Sequence, residues 1–218
     1  MRVLARAAST VLGVTVLHLV VLRPRLLTWG AAPDEVFSSL PGDDLLPRPD
    51  LVATRAISID APAEAVWPWV AQMGQGRGGL YSYDWLENLV GCQMASATRV
   101  VQEWQHPAVG DDFRLHPDVA LEVAMVEPRH ALVVRGAVSA TGQDGSGDPS
   151  MPYDFTWAFV LHPRSDGRTR LVVRERYRYL SRWALPLVET VSVASFVMTE
   201  RMLRGIRDRV ETQVASDR

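Results

Sequence analysis

The chain of 218 residues contains no lysine; all 23 of its basic residues are arginine. That absence removes Schiff-base lysine chemistry, a P-loop lysine and a lysine general base. Every cation that remains keeps its charge at physiological pH. Cysteine is almost missing too. Cys92 alone excludes an intramolecular disulfide framework and any multi-cysteine zinc site, and it reads as a small buried thiol. Neither sign of charge is in excess, since the net charge is −2, so no cationic field argues for nucleic acid. His18, His106, His116, His130 and His162 have no metal-ligand spacing, and no metal or cofactor is expected. No Gly-x-Ser-x-Gly elbow is present for a hydrolase.

Long hydrophobic runs are also scarce. Residues 7–22 form an uncharged stretch between Arg6 and Arg23, shorter than the roughly 20 apolar residues of a comfortable membrane span. It holds Ser9, Thr10, Gly13, Thr15 and His18. A cleaved leader would fit its charged start, but no small-x-small site follows it. Three readings stay open: a marginal anchor, an interfacial helix, or a helix packed on the domain. Arginines flank both ends, so orientation is undetermined and the location is membrane-associated or cytoplasmic.

What is present is ordinary globular composition, 47% hydrophobic and 22% charged. We expect an N-terminal apolar helix over 1–27, a proline-rich connector over 28–50 and one domain over 51–214. Pro33, Pro41, Pro47 and Pro49 break the connector, which can hold a short helix from Pro33 and drape across the next unit. The domain opens with a strand over 51–59, with Ala53, Arg55, Ile57 and Ile59 on one face. A helix over 62–73 follows, capped by Asp60 and interrupted by Pro68. A second helix is expected over 83–90, capped by Ser82. The period then changes to two. Strands are expected over 112–115, 119–126, 131–138, 153–161 and 169–179, with a flexible loop over 141–150 and a hairpin turn at Ser165-Asp166-Gly167-Arg168. A helix from Pro186 to about Val214 closes the chain; its first half is apolar nearly all round and should be deeply buried.

This is an α+β order, with short linkers that imply an antiparallel meander. It resembles the helix-grip fold of the polyketide cyclase and START-like superfamily, a curved sheet wrapped around a long C-terminal helix. The phrase Ile59-Asp60-Ala61-Pro62-Ala63-Glu64-Ala65-Val66-Trp67 is similar to the opening of many such domains. The stretch from Gln72 through Gly79, with Tyr81-Ser82-Tyr83-Asp84-Trp85-Leu86-Glu87-Asn88, resembles a bacterial branch. The resemblance implies an internal cavity for a hydrophobic small molecule, with the second helix at its entrance.

The candidate residues follow from that placement. Gly74-x-Gly76-x-x-Gly79 matches the dinucleotide fingerprint in letters only, because no strand leads into it; with Arg77 it reads as a link at the cavity mouth that moves on ligand uptake. Tyr81, Tyr83, Glu87 and Glu175 are the acid–base candidates. Trp69, Met73, Arg77, Tyr81, Tyr83, Trp85, Met125, Trp157, Glu175, Met198 and Met202 are the candidate ligand contacts. Strand 169–179 alternates Arg170, Arg174, Arg176 and Arg178, read as a solvated outer face, with Leu171, Val173, Glu175, Tyr177 and Tyr179; a slip of one residue would instead put Arg174 and Arg176 in the cavity. The expected function is binding of a lipid, polyketide or isoprenoid-like molecule as carrier or sensor. The alternatives are a cyclase/aromatase-type enzyme and a membrane-tethered interaction protein without a ligand. Oligomeric state is undetermined.

Overall fold

The computed structural model describes residues 22–136, 152–181 and 184–217. The uncharged stretch before Leu22, the loop expected over 141–150, the end of the strand expected over 131–138 and Trp183 lie outside the described residues. Six strands form one antiparallel sheet: β1 (Leu51–Ile59), β2 (Asp112–His116), β3 (Val119–Glu127), β4 (Ala131–Arg135), β5 (Tyr153–Pro163) and β6 (Thr169–Tyr179), in the order β1-β6-β5-β4-β3-β2. The helices are α1 (Arg23–Leu27), α2 (Pro33–Phe37), α3 (Ala63–Ala71), α4 (Asp84–Leu89) and the long α5 (Ala184–Ser216). The open curved sheet grips α5. This is a helix-grip α+β fold. Among the described residues, no helix is long and apolar enough to cross a membrane.

Alternation decides which side chains meet α5. Ile57 and Ile59 of β1, Leu171 and Val173 of β6, Trp157, Phe159 and Leu161 of β5, and Leu132 and Val134 of β4 share one buried cluster with Met202, Leu203, Ile206 and Val210 of α5. The β5–β6 hairpin is closed by Arg164 N–H to Arg168 C=O at 2.8 Å, with Gly167 at φ +81, a backbone state that glycine adopts without strain. α3 lays Val66, Trp69 and Val70 on the same core and carries Pro68 within its nine residues. Its N-cap is Pro62, not Asp60, whose backbone N–H instead meets Glu211 at 2.9 Å.

Four expectations are corrected by packing. The arginines of β6 do point away from α5, and Arg178 stays partly in solvent beside Asp154, but Arg170, Arg174 and Arg176 are not solvated. Residues 32–46 lie over them: Arg174 is 2% exposed, donates to the carbonyls of Glu35, Val36 and Ser38, and pairs with Asp43 at 2.6 Å. Arg176 reaches the other Asp43 oxygen at 2.9 Å, and Arg170 pairs with Glu35 at 2.7 Å. Leu40 packs beside this network against Ala56, Val133, Val160 and Val172.

The strict alternation expected along β3 also fails. A register shift between Val123 and Met125 inserts one residue, so Val126 faces the main core while Met125 pairs with Val133 on the outer side. The first half of α5 is covered on one side only: Val188 is fully buried, but Leu185, Leu187, Val193 and Val197 are exposed, because a sheet touches one face of a helix. Finally, Tyr83 precedes α4 as its N-cap, and Ser82 bonds the Glu87 side chain instead of capping the backbone.

Candidate ligand cavity

A cavity of about 270 Å³ lies between the inner sheet face, α4 and α5, open to solvent on one side. β5 supplies Phe155 and Trp157, β6 supplies Glu175 and Tyr177, and β2 supplies Leu115. α5 contributes Ser195, Met198, Thr199 and Met202, spaced i, i+3, i+4 and i+7 so that all four share one face. Leu80, Ser82, Glu87, Cys92 and Met94 close it from α4 and its flanking loops. The α4 wall is fixed by Asp84, which accepts from Ser96 N–H at 2.8 Å and Ser96 Oγ at 2.6 Å. Asn88 spans the Met94 backbone with bonds of 3.0 and 2.5 Å.

The lining is apolar except at two places. The first is a buried ionic centre. Arg55 enters from β1 and pairs with Glu175 at 2.7 Å, with side chains 1% and 3% exposed. Ser195 Oγ donates to Glu175 at 2.7 Å, Thr199 Oγ1 at 3.0 Å and Tyr177 OH at 3.0 Å. Arg55 also donates Nε–H to the Leu26 carbonyl at 2.9 Å. A buried charge pair survives only when its remaining hydrogen-bonding capacity is filled, and here it is. Burial, with the adjacent Glu175 carboxylate, pushes the Tyr177 hydroxyl well above its ordinary pKa, so it stays a donor.

The second place is Glu87, 7% exposed, whose Oε1 is held by Ser82. Burial and then the Asp84 charge raise its pKa, against the opposing Ser82 hydrogen bond. Cys92 is half-buried, and burial together with Glu87 pushes its thiol up as well, away from thiolate chemistry.

Of the sequence candidates, Glu87, Trp157, Glu175, Met198 and Met202 meet in this cavity. The others do not line it. Tyr81 is buried behind it, donating to the Trp69 carbonyl at 3.1 Å and accepting from Gln72 at 2.9 Å, with Arg209 over its ring. Trp69 and Met73 are core residues of α3 and its end; Trp69 Nε1–H goes to Gln213 at 3.1 Å. Tyr83 lies under Arg201 and against Trp85, which is 65% exposed on the outer side of α4. Met125 is turned away by the bulge. Arg77 folds back onto the carbonyls of Ala71 and Trp104, because residues 74–79 close a tight turn. Gly74 and Gly79 exchange two bonds of 3.0 Å, and Gln75 N–H is tied to Arg114 on β2 at 2.8 Å. These bonds brace the turn against β2.

Arg55, Tyr177, Ser195 and Thr199 were missed. Arg55 shares a face with Ile57 and Ile59, so alternation alone already aimed a cation into the core. The stripe Ser195, Met198, Thr199, Met202 was hidden by the apolar residues around it. Among the described residues, no cluster of His, Cys, Asp or Glu could hold a metal ion.

No family model and no curated protein matches the sequence. Solved structures do resemble it. One is the hypothetical protein jhp0584 of Helicobacter pylori, 13% identical over 78% of this chain and 94% of that one, with TM-score 0.46. Another is the Polyketide_cyc-like protein Cgl2372 of Corynebacterium glutamicum, 17% identical over 78% and 96%, with TM-score 0.41. DynU16, a protein of the dynemicin biosynthetic locus, is 17% identical over 72% and 47%, with TM-score 0.39. The likeness is one of fold alone.

Proposed function

We propose that the protein binds a small hydrophobic molecule of lipid, polyketide or isoprenoid type in the cavity between the sheet and α5, as a carrier or sensor. The observation that carries this reading is the cavity itself. An apolar-walled space of about 270 Å³ stands where side chains would otherwise close the core, just below the usual size range of small-molecule sites. The polar groups around it favour binding over turnover. Tyr81 and Tyr83 are outside the cavity, and Glu175 is committed to Arg55 and three hydroxyls. Of the acid–base candidates, Glu87 alone among the described lining residues keeps an oxygen without a partner. The test is solvent extraction of protein purified without detergent, followed by mass spectrometry, with thermal unfolding in the presence of short-chain alcohols and alkanes. A co-purifying apolar molecule, or a rise in Tm with apolar additives, is the expected result. A protein that carries nothing and is stabilised by none of them overturns the reading.

A further inference from the structure

Two buried polar atoms of residues that line the cavity have no hydrogen-bond partner among the described residues: Glu87 Oε2 and Trp157 Nε1. Both belong to side chains more than nine-tenths buried, at 7% and 8% exposed, and both residues line the same space. Buried donors and acceptors are almost always satisfied, and each one left unmade carries a desolvation cost. Among the described residues, the immediate ring neighbours of Trp157 supply no partner. An indole N–H only donates, and its ring is packed against Phe113, Phe155 and Phe159, which offer no acceptor. Glu87 is half satisfied, since Ser82 occupies Oε1 and leaves Oε2.

We infer that the cavity selects a neutral, hydroxyl-bearing apolar ligand, whose oxygen functions accept from Trp157 Nε1–H and donate to Glu87 Oε2. This rests on the hydrophobic-ligand reading and deepens it. Charge decides between the ligand classes. Two carboxylates, Glu87 and Glu175, line the cavity, and among the described residues no arginine does. The nearby cation, Arg55, is already neutralised by Glu175 at 2.7 Å. An anionic head group such as a fatty-acid carboxylate would find no unpaired cation among the described lining residues and would carry its desolvation cost uncompensated. A cation would have Glu87 alone as a counter-charge, and that carboxyl resists ionisation because it is buried. A hydroxyl both gives and accepts a hydrogen bond without bringing a charge into an apolar space. At about 30 Å³ per water-sized unit, the volume suits a ligand of about ten non-hydrogen atoms.

The test uses four probes of equal chain length with the full protein: 1-octanol, octanoate, octylamine and n-octane, by titration calorimetry at neutral pH. The Trp157 indole N–H resonance is followed in parallel. Octanol is expected to bind about tenfold tighter than octane or octanoate, the worth of one well-made hydrogen bond, and ahead of octylamine. Octanol should shift the Trp157 N–H signal where octane does not. Trp157→Phe and Glu87→Met should each lower octanol affinity about tenfold relative to the octane affinity of the same variant. If either variant fails to fold, the ranking of the four probes on the native protein and the Trp157 signal still decide. Octane or octanoate binding as well as octanol overturns the hydroxyl selection while leaving the hydrophobic site standing. Octylamine as the tightest probe also overturns it, in favour of a cation site. Binding of none of the four overturns both this inference and the reading beneath it.

Discussion

Glu175→Leu is the most informative single change. It strands the Arg55 guanidinium, 1% exposed, without the carboxylate 2.7 Å away. The hydroxyls of Tyr177, Ser195 and Thr199 lose their shared acceptor at the same time. Neutral acceptors alone remain for Arg55 among the described residues: the Leu26 carbonyl at 2.9 Å, Ser195 Oγ at 3.3 Å and the Ser192 carbonyl at 3.5 Å. Breaking one partner of a buried pair costs about 3–5 kcal/mol, because the other charge stays buried. With an m-value of about 2 kcal/mol/M, the urea midpoint should fall by about 2 M. Arg55→Leu alone should cost a similar amount, by leaving Glu175 unpaired. The double variant should recover most of the loss, since two apolar side chains replace both charges; the three hydroxyls left behind keep it below the native protein. The assay is equilibrium urea unfolding of the four proteins as a double-mutant cycle. Single losses that add to within about 0.5 kcal/mol in the double variant would refute the reasoning, since independent sites are the ones that add.

Gly205→Ala should destabilise, against the helix-propensity gain of about 1 kcal/mol that the same change gives in an open helix. A Cβ there would stand 2.1 Å from the Tyr81 carbonyl oxygen, so overpacking of about 1–3 kcal/mol wins and Tm drops; a raised Tm sinks the argument. Arg174→Met removes the donor to Glu35, Val36 and Ser38 and the partner of Asp43. Amide exchange over residues 33–46 should speed up well before that of β5, and uniform protection would contradict it. For Glu87, the stability tied to the protonated carboxyl is present below the ordinary carboxylate range and lost as pH climbs through its raised folded-state pKa. Glu87→Gln lacks that loss, so its Tm relative to the native protein should improve from about pH 4 to about pH 8; a flat or falling difference would count against a raised pKa.

The large outline was legible because period carries it. Alternation in β5 and β6 placed Trp157 and Glu175 on the cavity side, and no slip of register brought Arg174 inward. Local sequence does not show an inserted residue, and the bulge beside Val123 turned Met125 to the other face. Nor does it show what covers a surface. Arg170, Arg174 and Arg176 read as solvent-facing because charge usually is, while their partners Glu35 and Asp43 lie some 130 positions earlier. Tyr81 failed as a site residue for a related reason. Its aromatic neighbourhood marked a packed junction, where it takes φ +57 under the bare backbone of Gly205, and not a wall of the cavity.

The layer of residues 32–46 behind β6 has a mechanical consequence. It clamps the far side of the sheet with ion pairs and carbonyl acceptors, so that wall is stiff and cannot bow outward to make room. The opposite wall is a six-residue helix, α4, whose Trp85, Leu89 and Val90 face solvent and whose hold on the 92–97 segment runs through Asp84 and Asn88. Compliance is therefore lopsided. A molecule too large for the cavity would push against α4 before the sheet, and the Asp84–Ser96 and Asn88–Met94 hydrogen bonds are what would resist it.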